Sequence, residues 1–375
     1  MAQQDVTKAL IGRDGLDTLI AVLARQGYSV IGPKVADGAI VYEPVETAAE
    51  LPAGWLDEQE GGSYRLTRGD DDAVFAHVVG PHTWKRFLFP PRQKLWQGER
   101  KDGSYTIESA PVEVPRYAFL GVRACELKAL AIQDRVFSGG QYVDPGYTAR
   151  RQAALIVAVT CGRAAATCFC TSMDAGPKVT AGFDLALTEL IDGDRHDFMV
   201  EAGSDQGHAI LAELNGRAPS DDDLAAVESV PIRATAQMRR AMVPGVDALL
   251  KRNLEHTRWD EVAARCLNCA NCTMVCPTCF CSTVEDVTDL TGDHAERWRT
   301  WDSCFTVDFS YIHGGPIRRE GFSRYRQWMT HKLSNWHDQF GSSGCVGCGR
   351  CVTWCPVGID ITEEARAIRD SEGSP

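Results

Sequence analysis

The pattern of hydrophobic and polar positions makes the first part of the chain a mixture of helix and strands. Apolar residues at helical spacing predict an amphipathic helix over 14–26. Short apolar runs, separated by Gly, Pro and Asp, then predict strands at 28–31, 39–43, 64–68 and 73–79.

The next segment predicts a parallel βαβ unit. An apolar run at 117–122, a helical pattern at 126–137 and a buried-strand run at 155–160 follow one another, and a further strand is expected at 183–190. Both strands of such a unit point the same way. Cys125 and Cys161, each just after a strand, should therefore lie at the same sheet edge.

Helical patterning dominates the rest of the chain. It covers 245–264, 324–340 and much of the segment between Cys276 and Cys345, and an acidic stretch at 219–223 is the best candidate linker. We therefore expect an α+β or α/β domain at 1–218 that carries a cysteine site. A mainly α-helical ferredoxin-type domain is expected at 224–375.

Composition and charge exclude several classes of function. The 375 residues carry 39 Lys plus Arg against 51 Asp plus Glu, a net charge of −12, which argues against nucleic-acid binding. The one basic stretch, 318–326, suggests a salt-bridged or partner-facing surface. The longest apolar run, 153–161, is too short to cross a bilayer, and no export signal is visible, so a cytoplasmic protein is expected.

The 15 cysteines are the informative feature of the composition, and eight of them form two copies of C-x2-C-x2-C-x3-C-P. In this pattern three cysteines reach one [4Fe–4S] cluster and the fourth reaches a second cluster. The alternative, zinc, usually closes at four ligands from two separated pairs. The predicted ligand sets are Cys266, Cys269, Cys272 and Cys355 for one cluster, and Cys345, Cys348, Cys351 and Cys276 for the other.

Four more cysteines form a candidate third site. Cys125, Cys161, Cys168 and Cys170 would meet at the edge of the βαβ unit, as ligands of a third cluster, as ligands of one zinc ion, or as inert buried thiols. Cys125 also begins a predicted helix, whose free N–H groups favour a thiolate.

Cys279, Cys281 and Cys304 remain unassigned. A fourth cluster would need a non-cysteine ligand such as Asp302 or His294, and no spacing selects one. Buried packing, or hydrogen bonding to neighbouring sulfurs, is the preferred interpretation.

No pattern for substrate chemistry accompanies these cysteines. The chain lacks G-x-G-x-x-G, G-x-x-x-x-G-K-[ST] and H-E-x-x-H, and its nine histidines are scattered. We therefore expect an electron-transfer subunit of an oxidoreductase with no catalytic site of its own. Such a relay needs one partner that donates electrons and one that accepts them.

Several segments resemble a known family. The chain is similar to the iron–sulfur beta subunit of soluble NAD(P)-linked [NiFe] hydrogenases, or sulfhydrogenases, and to the electron-relay subunit of anaerobic sulfite reductase. The segments that carry the resemblance are 121–127 (GVRACEL), 168–170 (CFC), 276–281 (CPTCFC), 301–304 (WDSC), 311–315 (YIHGG) and 323–328 (SRYRQW).

The resemblance implies a relay that connects the small and large subunits of a [NiFe] hydrogenase with a flavin-containing, NAD(P)-binding subunit. It also implies a true cluster at Cys125, Cys161, Cys168 and Cys170, and a role beyond packing for the unassigned cysteines. A sulfite reductase relay is the alternative within this class. A metal-stabilised interaction scaffold and a redox-sensing regulator are alternatives from other classes.

Overall fold

The structure is a computed structural model that describes residues 7–193 and 195–372. The ends of both predicted domains, 1–6 and 373–375, lie outside the described residues. The strands are β1 (Lys8–Gly12), β2 (Ser29–Ala36), β3 (Ala39–Pro44), β4 (Trp55–Glu60), β5 (Ser63–Arg68), β6 (Arg92–Lys101), β7 (Ser104–Ser109), β8 (Tyr117–Arg123), β9 (Leu155–Val159), β10 (Leu185–Asp192), β11 (Arg195–Ala202), β12 (Ser282–Thr288), β13 (His294–Trp301), β14 (Tyr311–Ile312) and β15 (Gly315–Pro316).

Helices lie between these strands and after them. They are α1 (Gly15–Arg25), α2 (Lys85–Leu88), α3 (Ala124–Phe137), α4 (Pro145–Ala153), α5 (Asp205–Glu213), α6 (Asp221–Gln237), α7 (Val246–Arg252), α8 (Arg258–Arg265), α9 (Asn271–Met274), α10 (Gly321–Thr330), α11 (Trp336–Phe340), α12 (Arg350–Thr353) and α13 (Ile361–Asp370). One π-helical turn, His331–Asn335, joins α10 to α11. In the described part of the chain, no helix is both long and apolar enough to span a bilayer.

A seven-stranded sheet is the centre of the N-terminal part. Its order is β1-β11-β10-β9-β8-β2-β3, with β2, β8, β9 and β10 parallel to one another. Helices α1 and α5 cover one face, where Leu19 and Leu211 share a core with Val157. Helices α3 and α4 cover the other, where Leu130 and Tyr147 share a core with Ile156. The mixed α/β prediction is confirmed for this part of the chain.

The predicted βαβ unit is present. Strands β8 and β9 are adjacent and parallel, and α3 starts directly after β8. Cys125 lies in the first turn of α3 and Cys161 lies two residues beyond β9, so both occupy the same sheet edge.

A second sheet corrects the expectation of a helical insert after Cys276. Strands β12 and β13 pair with β6 and β7 in the order β12-β13-β6-β7. The β-branched residues of β12 and the turn around Gly292 favour a hairpin, and β13 then extends the sheet of β6. The first half of the insert therefore contains a β-hairpin, and its helices are a short 3-10 turn at Asp308–Ser310 and the run from α10 to α11.

Two smaller predictions are also wrong. Residues 73–79 form no strand, because the backbone N–H groups of Val74 and Phe75 donate to the Glu189 carboxylate instead of to a neighbouring strand. The acidic stretch at 219–223 begins a helix, since Ser220 caps α6 and Asp223 closes the capping box. The domain boundary between 218 and 224 stays a prediction.

The C-terminal helices surround a second apolar core. Trp259 of α8, Tyr325 and Trp328 of α10 and Ile368 of α13 are buried in it, together with Phe305. Cysteines of both ferredoxin-type motifs pack against this core, so the helices position the loops that carry the thiols.

Candidate iron–sulfur centres

The first cavity lies at the edge of the C-terminal core. Four of the cysteines that line it are Cys266, Cys269, Cys272 and Cys355. Its other walls are largely apolar and include Phe305 and Trp328, as expected for a site that excludes water. Cys269 is exposed, whereas each of the other 14 cysteines is buried or partly buried. This cavity therefore reaches the protein surface.

The second cavity lies deeper in the molecule, and three of the four cysteines that line it are buried. Cys276 of the first motif lines it together with Cys345, Cys348 and Cys351 of the second motif. Cys276 and Cys355 thus each leave their own motif and line the cavity of the other. Cys351 lines both cavities, so the two sites share a wall.

The loop of the second motif packs directly on the loop that carries Cys168 and Cys170. The Phe169 N–H donates to the Gly347 carbonyl at 2.9 Å, and Phe169 also lines the second cavity. A Cβ on Gly349 would lie 2.5 Å from the Thr167 carbonyl oxygen, and Gly349 has a positive φ of 78°. Only glycine permits this approach, which places the third group of cysteines beside the second cavity.

The third group contains Cys125, Cys161, Cys168 and Cys170, which the fold brings together. Burial is the main cause that raises the pKa of the Cys125 thiol, and the neighbouring thiols of Cys170 and Cys348 raise it further. The helix N-terminus was expected to favour a thiolate at Cys125, but desolvation outweighs it. A bound cation would be needed to keep such buried thiols ionised.

Burial has the same effect on cysteines in both cavities. It raises the pKa of Cys272 and Cys351 well above the ordinary value, and it raises that of Cys345 to about 12. Cys276 is the exception: a hydrogen bond from the Cys279 thiol and the charge of Lys332 hold its pKa well below the ordinary value.

Lys332 is a site residue that the sequence patterns did not single out. It is buried, and its Nζ lies 3.2 Å from Cys276 Sγ, 2.8 Å from Thr278 Oγ1 and 3.2 Å from the Gly344 carbonyl oxygen. It belongs to the π-helical turn, a distortion that often marks functional sites. The one feature of the sequence that could have indicated Lys332 is its charge on the apolar side of the helix predicted at 324–340.

Arg350 and Glu126 form a second unpredicted feature. Both are buried, and the Arg350 guanidinium donates to Glu126 at 2.5 Å, to the Gly80 carbonyl at 2.8 Å and to the His82 carbonyl at 2.9 Å. Tyr42 and Trp84 also donate to Glu126. This network ties α12, in the second motif, to the turn of α3 that carries Cys125.

The unassigned cysteines also come together. Cys279 hydrogen-bonds the thiol of Cys276, and Cys281 hydrogen-bonds that of Cys304. None of Cys279, Cys281 and Cys304 lines either cavity. Asp302, weighed as a ligand, accepts from the Ser303 N–H and the Thr306 hydroxyl, and His294 lies on β13 beside Glu296.

The donor sets suit iron–sulfur clusters. The first cavity presents five cysteines and the second presents four, in each case from two separate loops within mostly apolar walls, and cubane clusters are held by four thiolates. In the described part of the chain, no three His, Cys, Asp or Glu side chains are grouped so as to hold a single metal ion. A cubane is wider than one ion and needs its thiolates spread around a cavity.

Comparisons with known proteins agree with this chemistry. Residues 265–359 match the 4Fe-4S dicluster domain family. The chain is 30% identical over 293 residues to sulfhydrogenase 2 subunit beta of Pyrococcus furiosus, which covers 76% of this chain and 82% of that protein. The chain belongs to the sulfhydrogenase beta-subunit family. No solved structure matches.

Membership in the sulfhydrogenase beta-subunit family establishes the general role of the chain. It is an iron–sulfur hydrogenase subunit that binds [4Fe–4S] clusters and transfers electrons. The cysteines that line the two cavities all lie within the matched dicluster domain.

Proposed function

We propose that this chain relays electrons between the subunits of a [NiFe] hydrogenase and an NAD(P)- and flavin-binding subunit. The observation that carries this proposal is the contiguity of three cysteine sites. Cys351 lines both cavities. Phe169, whose neighbours in the chain are Cys168 and Cys170 of the third site, lines the second cavity. Three neighbouring redox centres form a path through the molecule.

The ligand sets follow the lining of the cavities. Cys266, Cys269, Cys272 and Cys355 hold the first cluster, and Cys276, Cys345, Cys348 and Cys351 hold the second. Cys125, Cys161, Cys168 and Cys170 hold a third. Each bound cluster supplies storage for one electron at a potential that its surroundings set.

The positions of the sites suggest their order. The second cavity shares Cys351 with the first cavity and Phe169 with the loop of the third site, and the first cavity reaches the surface at Cys269. The second site is therefore the middle of the path, and the two ends face the partners. Burial around the middle site excludes water and prevents loss of electrons to solvent.

Co-purification tests this function. The complex is isolated anaerobically through a tag on this chain and analysed for iron, nickel, zinc and flavin. We expect nickel, flavin and at least about 12 iron per copy of the chain, from three four-iron clusters. We also expect hydrogen-dependent reduction of NAD(P). A complex with zinc in place of iron, or with iron but neither nickel nor hydrogen-dependent activity, would contradict the proposal.

We also infer that the complex works in the cytoplasm, where thiols stay reduced. Fractionation of cells with antibodies against this chain should recover it with the cytoplasmic markers. Recovery with exported proteins would contradict this location.

A further inference from the structure

Three thiols lie outside the proposed ligand sets. Cys279, Cys281 and Cys304 are all partly exposed, and none of them lines the first or the second cavity. Cys279 interacts with the thiol of Cys276, which lines the second cavity. Cys281 and Cys304 are therefore the two of these thiols whose hydrogen-bond partner is not a proposed iron ligand.

The second sheet brings these two cysteines together. Cys281 precedes β12 and Cys304 follows β13, and Ser282 pairs with Trp301 across the ladder. The Asp302 N–H donates to the Cys281 carbonyl at 2.9 Å, which continues the pairing by one step. Cys304 follows Asp302 by two residues, so the end of the ladder places the Cys281 and Cys304 side chains beside each other, and each shifts the pKa of the other.

The surroundings favour a reactive thiolate at Cys281. The hydrogen bond from Cys304 and the charge of the buried Lys332 lower the pKa of Cys281 to about 7, whereas that of Cys304 is raised. Attacking thiols work best when their pKa is near the ambient pH. One partly exposed thiol that ionises near neutral pH, beside one protonated thiol, is the arrangement of a nucleophilic and a resolving cysteine.

We propose that Cys281 and Cys304 form a redox-active dithiol that reacts with small-molecule disulfides and closes into an internal disulfide. In the first step, the Cys281 thiolate attacks one sulfur of the disulfide, and the other sulfur leaves as a thiolate. In the second, Cys304 loses its proton and attacks Cys281 Sγ, and the second small thiolate leaves. The protein dithiol is oxidised by two electrons, and one disulfide is reduced to two thiols.

Thiol mapping tests this proposal on the full chain with its clusters. The anaerobically purified protein is equilibrated at pH 7 with buffers of reduced and oxidised glutathione, trapped with an alkylating agent and mapped by mass spectrometry. We expect a cross-link between the Cys281 and Cys304 peptides that grows with the oxidised fraction and disappears on reduction. Iron content should stay constant throughout.

Single substitutions separate the two steps. Cys304→Ser should trap glutathione on Cys281, because no resolving thiol remains, while Cys281→Ser should prevent both adduct and cross-link. Cys279→Ser is the matched control and should leave the cross-link intact. Absence of a cross-link in every buffer, or loss of about four iron in Cys281→Ser and Cys304→Ser, would overturn the proposal, because the thiols would then be inert or cluster ligands.

Discussion

The two ferredoxin-type motifs have the same cysteine spacing but lie in very different surroundings. The cavity of the first motif is apolar and reaches solvent at Cys269. The cavity of the second motif is lined mainly by buried cysteines. Asn268 and Ala270 of the first motif correspond to Gly347 and Gly349 of the second, and all four have positive φ. The cysteine spacing thus determines the positive φ angles of both motifs. In the second motif, the loop at 167–170 packs so closely that only glycine can occupy these positions.

The fourth cysteines of the motifs differ in the same way. Cys355 lines the first cavity, and its sulfur accepts a backbone N–H from Ile359 at 3.3 Å. Cys276 lines the second cavity, and its sulfur contacts the Lys332 ammonium and the Thr278 hydroxyl. A charged donor on one site and a neutral donor on the other should separate the reduction potentials of otherwise equivalent clusters.

Removing one ligand from each motif should have the largest effect. We expect Cys269→Ala and Cys348→Ala each to lower the iron content by about four per chain and to abolish electron transfer through the complex. Cys348→Ala should also destabilise the chain more, because Cys348 is buried whereas Cys269 is exposed. Iron analysis and thermal unfolding measure both effects, and an unchanged iron content would contradict the ligand sets.

Arg350 and Asn271 occupy equivalent positions, so they test the buried network of the second motif. Arg350→Met should cost about 3–5 kcal/mol of unfolding free energy, because Glu126 stays buried without its partner. The exposed Asn271 makes only a 3.4 Å bond to the Trp354 carbonyl, so Asn271→Ala should change stability by about 0.5 kcal/mol or less. Denaturant unfolding should show this contrast; similar effects for both would argue against the network.

Gly349 and Ala270 test the approach of the second motif to the third site. Gly349→Ala should cost about 2–4 kcal/mol, since its Cβ would meet the Thr167 backbone at 2.5 Å in a left-handed conformation. Ala270→Gly at the equivalent position relieves strain and should change stability by about 1 kcal/mol or less. If Gly349→Ala is as stable as the parent protein, the close packing of the two loops is wrong.

Lys332→Met should have a selective effect on the reduction potential of the second cluster. Loss of the ammonium beside Cys276 should lower the reduction potential of the second cluster, on the order of 100 mV by a screened Coulomb estimate. The first cluster should keep its potential. A redox titration followed by electron paramagnetic resonance resolves the potentials of the two clusters. Thr278→Val serves as the control, because it removes a neighbouring hydroxyl but retains the Lys332 ammonium. Equal shifts at both clusters would contradict a local role.

The sequence pattern correctly predicted those helices and strands whose stability depends mainly on residues nearby in the chain. The β8-α3-β9 unit follows from apolar runs and helical spacing, and its parallel geometry brings Cys125 to the same edge as Cys161. The strands β12 and β13 were missed because their stability comes from β6, almost 200 residues earlier in the chain. Lys332 and Arg350 were missed for the same reason, since their partners are distant in sequence.

Hydrogen-driven reduction of the complex tests the relay most directly. The anaerobic complex is exposed to hydrogen, frozen, and examined by electron paramagnetic resonance, beside the same complex with Cys348→Ala. We predict that hydrogen reduces all clusters of this chain in the parent complex. In the variant, reduction should stop at the clusters on the hydrogenase side of the interrupted middle site. Clusters that stay oxidised while the complex transfers electrons from hydrogen to NAD(P), or a variant that still transfers them at the parent rate, would contradict the relay.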